Sequence, residues 1–406
     1  MGLARSRRAI TSVFLLNGLA LSSFIVRLPS LKAQHHLNNG QIGVVGMLFG
    51  LSALASMQFV GSLVGRFGSG PILRIALPAL AVALVGVGVS GGVLAYTIAV
   101  MALGAVHGTT DAAMNAHAVT VERLAGRPIL SGCHAAWSIS AVIASLAGAI
   151  AVHAGLSTTA HFLIIGGFVV AGDLLAGPFL LAAAVDRRAP TASTASGRPT
   201  TGWRAGWTKL VIRIGLTGTV LMVCEGAALG WGAIYLHETR GASVAVASIA
   251  VTAFAGGQTA GRVIGDRLTL RFGASTLFRA CGLIGVVGLT VAVLSPRPAV
   301  AIAGFAILGL GSSVLIPLTF SAVGHAGGSG PGAAAFVSRF TTFTYAGILI
   351  GPAVIGGVSQ LVGLTTTLAA LIPMLAFVAL ASRLPGTPRH PESEPDVEAV
   401  EELNVV

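Results

Sequence analysis

The fold of this chain can be read from one segment, GRVIGDRLTLRFG, which runs from Gly261 to Gly273. The segment lies between two long apolar runs. Gly257, Gly261 and Gly265 are four residues apart, so they share one face of a helix and let another helix approach closely within a bilayer. Two apolar helices joined by a short basic turn predict a hinge at a membrane surface.

A shorter copy of this segment, GSLVGRFG, occurs earlier in the chain, from Gly61 to Gly68. Gly61 and Gly65 align with Gly261 and Gly265, and the triplet Arg-Phe-Gly closes both copies. A repeated segment in corresponding places indicates a chain that is built from two related halves.

The composition is that of a membrane protein. The chain has 406 residues, of which 54% are hydrophobic and 9% are charged, and its mean hydropathy is +0.88. A soluble protein carries about 25% charged residues. The three cysteines lie far apart in apolar runs, so they predict neither a disulfide framework nor a metal site.

Twelve apolar runs are long enough to cross a bilayer, which takes about 20 residues. They lie at roughly 9–28, 41–64, 72–90, 93–119, 132–155, 160–184, 210–236, 243–265, 275–295, 299–323, 333–358 and 363–383. We therefore expect an all-α, polytopic membrane protein with two six-helix bundles, at 1–185 and 209–384. A flexible linker at 186–208 joins them, and an acidic tail at 385–406 has no assigned function.

The basic residues give an orientation. With the amino terminus inside, all but five of the 24 lysines and arginines fall in cytoplasmic segments, and Arg262 is counted among them. This is the positive-inside pattern, and it accounts for the net charge of +11 without a nucleic-acid partner. We expect a monomer in the inner or plasma membrane, with both termini in the cytoplasm.

Six plus six spans, a central linker and the repeated glycine–basic segment resemble the major facilitator superfamily of secondary transporters. Two longer strings, from Asp111 to Ala118 and from Gly126 to Ser138, look like the bacterial rhizopine-permease-like group, which is related to the fucose permeases. The resemblance implies a major facilitator fold and a small polar substrate such as a sugar or cyclitol. The first copy departs from the superfamily's pattern, because Gly65 and Arg66 stand where the acid–base step is expected.

Ionisable side chains inside spans are costly, by roughly 2.5–3.5 kcal/mol each, so each needs a reason. His107, Asp111 and Asn115 are four residues apart and share one face of span 4. They are candidates for the wall of an aqueous cavity, where Asp111 would bind a proton or a substrate group. The alternative is a buried cluster that ties span 4 to a neighbouring helix.

Glu225 in span 7 and Arg339 in span 11 are the other charged candidates. Carboxyl groups within spans are typical of proton pathways, so Glu225 is a candidate for proton or substrate binding. The alternative is a permanent pair with Arg339. Arg339 itself either holds a substrate or extends its charged end towards the cytoplasmic surface. Asp173 in span 6, beside Gly172, is expected to pack within the first half.

Several polar and aromatic side chains complete the candidate substrate or proton site. An amide in lipid would lack partners, which favours a cavity-facing position for a mid-span asparagine. Aromatic rings with a polar edge suit sugars, but they are also common at membrane interfaces. These candidates are Asn17, His134, Trp137 and Trp231.

A second group of residues is expected to form a gate at the cytoplasmic face. An acid beside a helix end can accept hydrogen bonds from free backbone N–H groups of a neighbouring helix and so close the gate. The alternative is a turn that only sets topology. The gate candidates are Gly261, Gly265, Asp266, Arg267, Arg271 and Arg66.

Secondary transport by alternating access, coupled to protons, accounts for these features best, with drug or amphipathic-metabolite efflux as the alternative. Span 5 lacks the Gly-Pro pair that the resemblance would lead one to expect in a drug exporter. The chain has no Walker-type loop, so nucleotide hydrolysis is not its energy source. An integral membrane enzyme using His107 and Asp111 would need a nucleophile or metal triad, and a sensor would need a signalling domain. We expect no enzyme activity, cofactor or metal.

Overall fold

A computed structural model describes residues 2–184, 205–328 and 331–381. The predicted linker, apart from residues 205–208, and the predicted acidic tail lie outside these residues. Helices account for all the regular secondary structure in the described ranges.

Six long helices form the first half of the chain. They are α1 (Gly2–Val26), α2 (Asn39–Phe67), α3 (Ser69–Val89), α4 (Val93–Ala125), α5 (Leu130–His153) and α6 (Thr158–Ala176). A short helix, Leu28–Gln34, lies between α1 and α2 and was not anticipated from the sequence. It begins at Leu28-Pro29, where proline suits the first turn of a helix because its missing N–H would have no partner there.

Six further helices form the second half. They are α7 (Lys209–Gly226, continued to Thr239), α8 (Val244–Phe272), α9 (Ala274–Leu294), α10 (Pro298–Ser312 and Leu315–Ala326), α11 (Pro331–Val362) and α12 (Leu364–Ala381). Beyond Gly226, α7 contains two π-helical turns, Ala227–Trp231 and Tyr235–Thr239. Such turns are rare and occur mostly near functional sites.

Eleven helices in the described ranges are long and apolar enough to cross a membrane, which makes this a multi-pass membrane protein. Helix α8 is a further long helix of the second half, and its carboxyl-terminal part carries the polar residues Gln258, Arg262 and Asp266. Several helices extend past the predicted apolar runs: α1 begins at Gly2 and α8 continues to Phe272. Hydropathy marks the part of a helix that suits lipid, whereas the backbone hydrogen bonding continues into its polar ends.

The two glycine–basic segments have the same backbone geometry. Gly68 ends α2 and begins α3 with φ 81° and ψ 155°, and Gly273 ends α8 and begins α9 with φ 78° and ψ 152°. A positive φ favours glycine, because a Cβ would be strained there. A glycine turn of the same geometry therefore joins two helices at both of the predicted positions. We call the end of the molecule that contains these two turns and the α4–α5 turn at Gly126 the basic face.

Glycines also allow the close helix packing that the sequence predicted. Gly257 and Gly261 of α8 face Ala306 and Ser313 of α10, so closely that a Cβ at either position would overlap them. Gly265 faces Ser131 of α5, and a Cβ there would lie 2.8 Å from the Ser131 side chain. The spacing of four residues thus brings α8 against both its own half and the other half.

The two halves meet along a limited set of helices. Helices α2 and α11 pack against each other, α5 packs against α8, and α4 packs against both α10 and α11. Most other extensive helix contacts join helices of the same half. The candidate site lies where these cross-half contacts surround α1, α4 and α5.

Candidate functional site

A hydrogen-bonded chain links four helices at the centre of the molecule. Trp137 Nε1 of α5 donates to Asn17 Oδ1 of α1 at 3.3 Å, and Asn17 Nδ2 lies 3.3 Å from His107 Nδ1 of α4. His107 Nε2 lies 2.7 Å from the hydroxyl of Tyr345 in α11. Three of the candidate residues, Asn17, His107 and Trp137, are thus brought together, and Tyr345, which was not anticipated, joins them.

The direction of each of these hydrogen bonds can be assigned by starting from Trp137, whose ring N–H is a donor only. Trp137 can only donate, so it fixes the oxygen of Asn17 on its side and the Asn17 NH2 group towards His107. His107 Nδ1 therefore accepts, and the hydrogen of a neutral ring is on Nε2, from which it is donated to Tyr345. The hydroxyl hydrogen of Tyr345 remains free to point elsewhere.

Asp111 lies one helical turn beyond His107 and interacts electrostatically with Tyr345. Within the described ranges no hydrogen bond reaches its carboxylate, and the residue is partly accessible. Asn115 is buried, and its NH2 group turns back to the Asp111 carbonyl oxygen at 2.9 Å. Its Oδ1 atom has no partner in the described part of the chain. The polar stripe of α4 thus presents a carboxylate available to a ligand.

Glu225 lies beside Arg262, not beside Arg339, so the alternative pairing proposed from the sequence is wrong. Arg262 Nη2 is 4.0 Å from Glu225 Oε1. Arg262 Nη1 donates to Ser138 Oγ of α5 at 2.6 Å, and Nε donates to the Ser313 carbonyl oxygen at 3.3 Å. Arg262 therefore touches both halves.

Arg262, which the charge count included among the cytoplasmic residues, lies within helix α8. Its side chain is buried, with only 6% of the residue exposed. A charged residue near the end of an apolar run has no local signal of burial. Only its partners Glu225 and Ser138, distant in sequence, show that it faces inwards.

Arg339 does not extend to the surface, and it lies between the halves. It donates to Gln58 of α2 and, through Nε, to the Ala205 carbonyl oxygen at 3.0 Å. Its guanidinium lies 5.4 Å from the ring centre of Trp207. Arg339 is 2% exposed, and it connects α11, α2 and the segment that precedes α7.

His134 and Trp231 are held by aromatic and close backbone contacts. The His134 ring lies 5.2 Å from Phe14 and 5.8 Å from Phe320, and its Nε2 atom lacks a hydrogen-bond partner among the described residues. Trp231, in the first π-helical turn of α7, packs against Gly356 of α11. Asp173, by contrast, is buried in the first half and faces Arg74.

Two carboxylates accept hydrogen bonds from the amino end of α5, at the basic face. Asp266 of α8 accepts hydrogen bonds from the backbone N–H groups of Ser131 and Gly132, both at 3.0 Å. This is the geometry that the sequence predicted for an acid at this position. Favourable interaction with the free N–H groups and positive end of a helix stabilises such a carboxylate.

Glu122, at the end of α4, is the second carboxylate, and sequence reasoning missed it. It accepts from the N–H groups of Ile129 and Leu130 at 2.9 and 3.3 Å. It also accepts from Ser321 of α10, and His325 Nδ1 lies 3.8 Å away. The signal available in the sequence was an acid directly after span 4.

Among the other gate candidates, Gly265 meets Ser131 of the first half, whereas the three arginines make no recorded contact across the halves within the described ranges. The guanidinium groups of Arg66 and Arg271 lie over the neighbouring rings of Phe67 and Phe272, at 5.1 and 5.3 Å. Arg267 is exposed. Gly61 and Gly65 pack against Ala335 and Pro331 of α11, so the acid-free copy meets the second half through glycine contacts.

Towards the opposite face, fewer glycine contacts join α2 to α11. Gly50 of α2 still packs against Leu349 of α11, but a Cβ on Gly43 or Gly46 would meet nothing within 4 Å. No group of three or more histidine, cysteine or acidic side chains that could hold a metal occurs among the described residues.

A family model described as Major Facilitator Superfamily matches residues 10–325 and 216–404. The chain is 32% identical over 355 residues to a protein named uncharacterized transporter y4wD of Sinorhizobium fredii, covering 86% of this chain and 90% of that one. It is 27% identical over 393 residues to the membrane protein MosC of Rhizobium meliloti, covering 95% and 92%.

The fold is similar to that of the fucose:proton symporter FucP of E. coli. The TM-score is 0.72 for a substituted variant of that protein, at 16% identity, covering 93% of this chain and 98% of that one. It is 0.76 for FucP in the outward conformation, at 17% identity, covering 93% and 99%. At this identity the likeness concerns the fold alone.

Proposed function

Because the chain belongs to the major facilitator superfamily, and its relatives are transporters and not enzymes, we propose that it is a proton-coupled secondary transporter of a small polar solute. The observation that carries this proposal is the chain of hydrogen bonds from Trp137 through Asn17 and His107 to Tyr345. It places donors and acceptors from both halves at one point.

The substrate class follows from the groups at this point. Aromatic rings with polar edges, an amide, an imidazole and one available carboxylate suit a neutral or weakly charged solute with several hydroxyl groups. A sugar or cyclitol has this chemistry, and the relative in fold FucP is named as a fucose symporter. Asp111 would accept a hydrogen bond from a substrate hydroxyl, and Trp137 would cover an apolar ring face.

Alternating access would use the asymmetry between the two ends. Asp266 and Glu122 join the halves at the basic face, whereas Gly43 and Gly46, nearer the opposite end of α2, have no close neighbour. The basic face is the cytoplasmic one in this proposal, with both termini in the cytoplasm and the protein in the plasma membrane. The described conformation is then closed to the cytoplasm, and transport requires that these contacts break.

Proton coupling would act through Glu225 and Arg262. Arg262 faces the Glu225 carboxylate on one side and holds Ser138 of the first half on the other. His134 also lies within electrostatic range of Arg262. A proton on Glu225 would remove the negative charge that faces Arg262. The Arg262 side chain would then be held less firmly in place, and its hydrogen bond to Ser138 would weaken.

Reconstituted vesicles test this proposal. Uptake would be measured for a panel of labelled sugars, polyols, cyclitols and hydrophobic cations, with and without a pH gradient. We expect a polyhydroxylated solute to accumulate with the gradient, and Asp111→Asn or Glu225→Gln to abolish accumulation. Asp173→Asn removes a membrane carboxylate outside the site and should retain it. Uptake only of hydrophobic cations would favour the efflux alternative, and accumulation unchanged by both variants would exclude these acids from coupling.

A further inference from the structure

A basic pocket of about 500 Å³ lies at the basic face, beside the amino end of α1 and the α4–α5 turn. Its lining is formed by Ala4, Arg7, Arg8, Thr11, Ser12 and Arg127. It is separate from the central site, which lies deeper between the halves.

The three arginines of this pocket lack acidic partners. None of them forms an ion pair with an acid in the described ranges, and Arg8 and Arg127 are exposed. Arg7 lies within electrostatic range of Asp266, but that carboxylate already accepts from Ser131 and Gly132. Like charges that converge on one pocket repel each other, so an anion bound there would be stabilised.

The hydrogen-bonding groups select the kind of anion. Thr11 Oγ1 and Ser12 Oγ donate to the carbonyl oxygens of Arg7 and Arg8, at 2.9 and 3.0 Å. Their hydrogens are therefore used, and the donors that remain are guanidinium N–H groups. Several planar guanidinium donors match an acceptor with several oxygens, such as a phosphate.

The surroundings of the pocket favour a lipid as the source of that phosphate. Ala4, Arg8, Ser12 and Leu15 follow one another at helical spacing and are at least partly exposed, so the pocket continues as a stripe along α1. Helix α1 packs against both α5 and α6, which hardly touch each other. The stripe therefore lies in a groove between them, with its charged end at one membrane surface.

We propose that this pocket binds the phosphate headgroup of an anionic phospholipid, with an acyl chain lying along the α1 groove. Basic pockets between membrane helices on the cytoplasmic side are suited to such headgroups. The proposal does not depend on the substrate or on proton coupling, because the pocket shares no residue with the central site.

Lipid retention measures this site directly. The full-length protein would be reconstituted with equal amounts of phosphatidylglycerol and phosphatidylcholine, extracted in mild detergent, and its bound lipids counted by mass spectrometry. We expect preferential retention of phosphatidylglycerol. In the double variant Arg8→Gln/Arg127→Gln its affinity should fall about 30-fold, which corresponds to about 1 kcal/mol for each arginine.

The matched control is Arg279→Gln/Lys209→Gln, which removes two exposed basic residues elsewhere and should retain the lipid. Equal loss in the two double variants, or equal retention of the two lipids by the unchanged protein, would overturn the proposal. Soluble glycerol 3-phosphate is added in a further arm. If it displaces the lipid at comparable concentration, the site belongs to a free phosphate compound and the lipid assignment is wrong.

Discussion

Arg262 donates to Ser138 Oγ across 2.6 Å, and this contact joins the second half of the chain to the first. Asp266 lies one helical turn further along α8 and caps the amino end of the same helix, α5, that carries Ser138. The candidate proton site and the closed basic face are therefore connected through one side of one helix. The predictions below test the parts of this arrangement separately.

Removing one partner of the Glu225–Arg262 pair is expected to destabilise the protein more than removing both. Glu225→Gln leaves a buried guanidinium without its counter-charge, so it should lower the free energy of unfolding more than the double variant Glu225→Gln/Arg262→Gln. The loss should be smaller than the roughly 3–5 kcal/mol of a fully buried pair, because the two groups are 4.0 Å apart and Glu225 is partly exposed. Unfolding in detergent would give the coupling free energy, expected at about 0.5–3 kcal/mol. Additive effects would show that the pair does not interact.

Removing the Tyr345 hydroxyl is expected to weaken the central chain. Tyr345→Phe leaves His107 Nε2 without a partner in a buried place, at a cost of about 1–3 kcal/mol in the free energy of unfolding. Tyr96→Phe is the control, since the Tyr96 hydroxyl is buried without a partner among the described residues and its removal should cost nothing. Equal stability of the two variants would contradict the contact between His107 and Tyr345.

Neutralising Asp266 is expected to open the basic face. Asp266→Asn keeps one acceptor oxygen but loses the charge that favours the amino end of α5. A loss of about 1–2 kcal/mol would raise the open population about 5–30-fold. The measurement is thiol labelling of the buried Cys133, next to Gly132, in a protein whose Cys224 and Cys281 are replaced by alanine. Labelling at the unchanged rate would show that Asp266 does not hold the face closed.

Gly265→Ala is expected to prevent tight closure between α8 and α5. A Cβ there would lie 2.8 Å from the Ser131 side chain and 2.7 Å from Val314 Cγ1, so the helices must move apart. Gly256→Ala adds the same methyl group to the same helix where nothing lies within 4 Å. Cys133 labelling should increase in the first variant only, and an equal response in both would point to a general effect of alanine in α8.

The parts of the fold that are set by local sequence could be predicted. Apolar runs predicted the helices, and the spacing of Gly257, Gly261 and Gly265 predicted a closely packed face. Asp266, beside a turn, had few partners other than the end of a neighbouring helix. Local patterns of this kind need no knowledge of which distant residues meet.

Cross-chain contacts could not be predicted in the same way. Arg262 stood near a basic turn and was counted with it, since a hydropathy window does not contain Ser138 or Glu225. Arg339 was expected to meet either a substrate or the membrane surface, and its partner Gln58 lies 281 residues away. Tyr345 gave no signal, because an isolated tyrosine in a span is common at membrane interfaces.

Because the first glycine–basic copy lacks an acid, changes in salt and pH would affect the two sides of the basic face differently. One side, α5 with α8, is fastened by a carboxylate on backbone amides, so salt and acid would loosen it. The other side, α2 with α11, is held by glycine packing and by Arg339, which also donates to the Ala205 carbonyl oxygen and lies over the Trp207 ring. Opening would then begin between α5 and α8, while α2 and α11 stay in contact beside Ala205, just before α7.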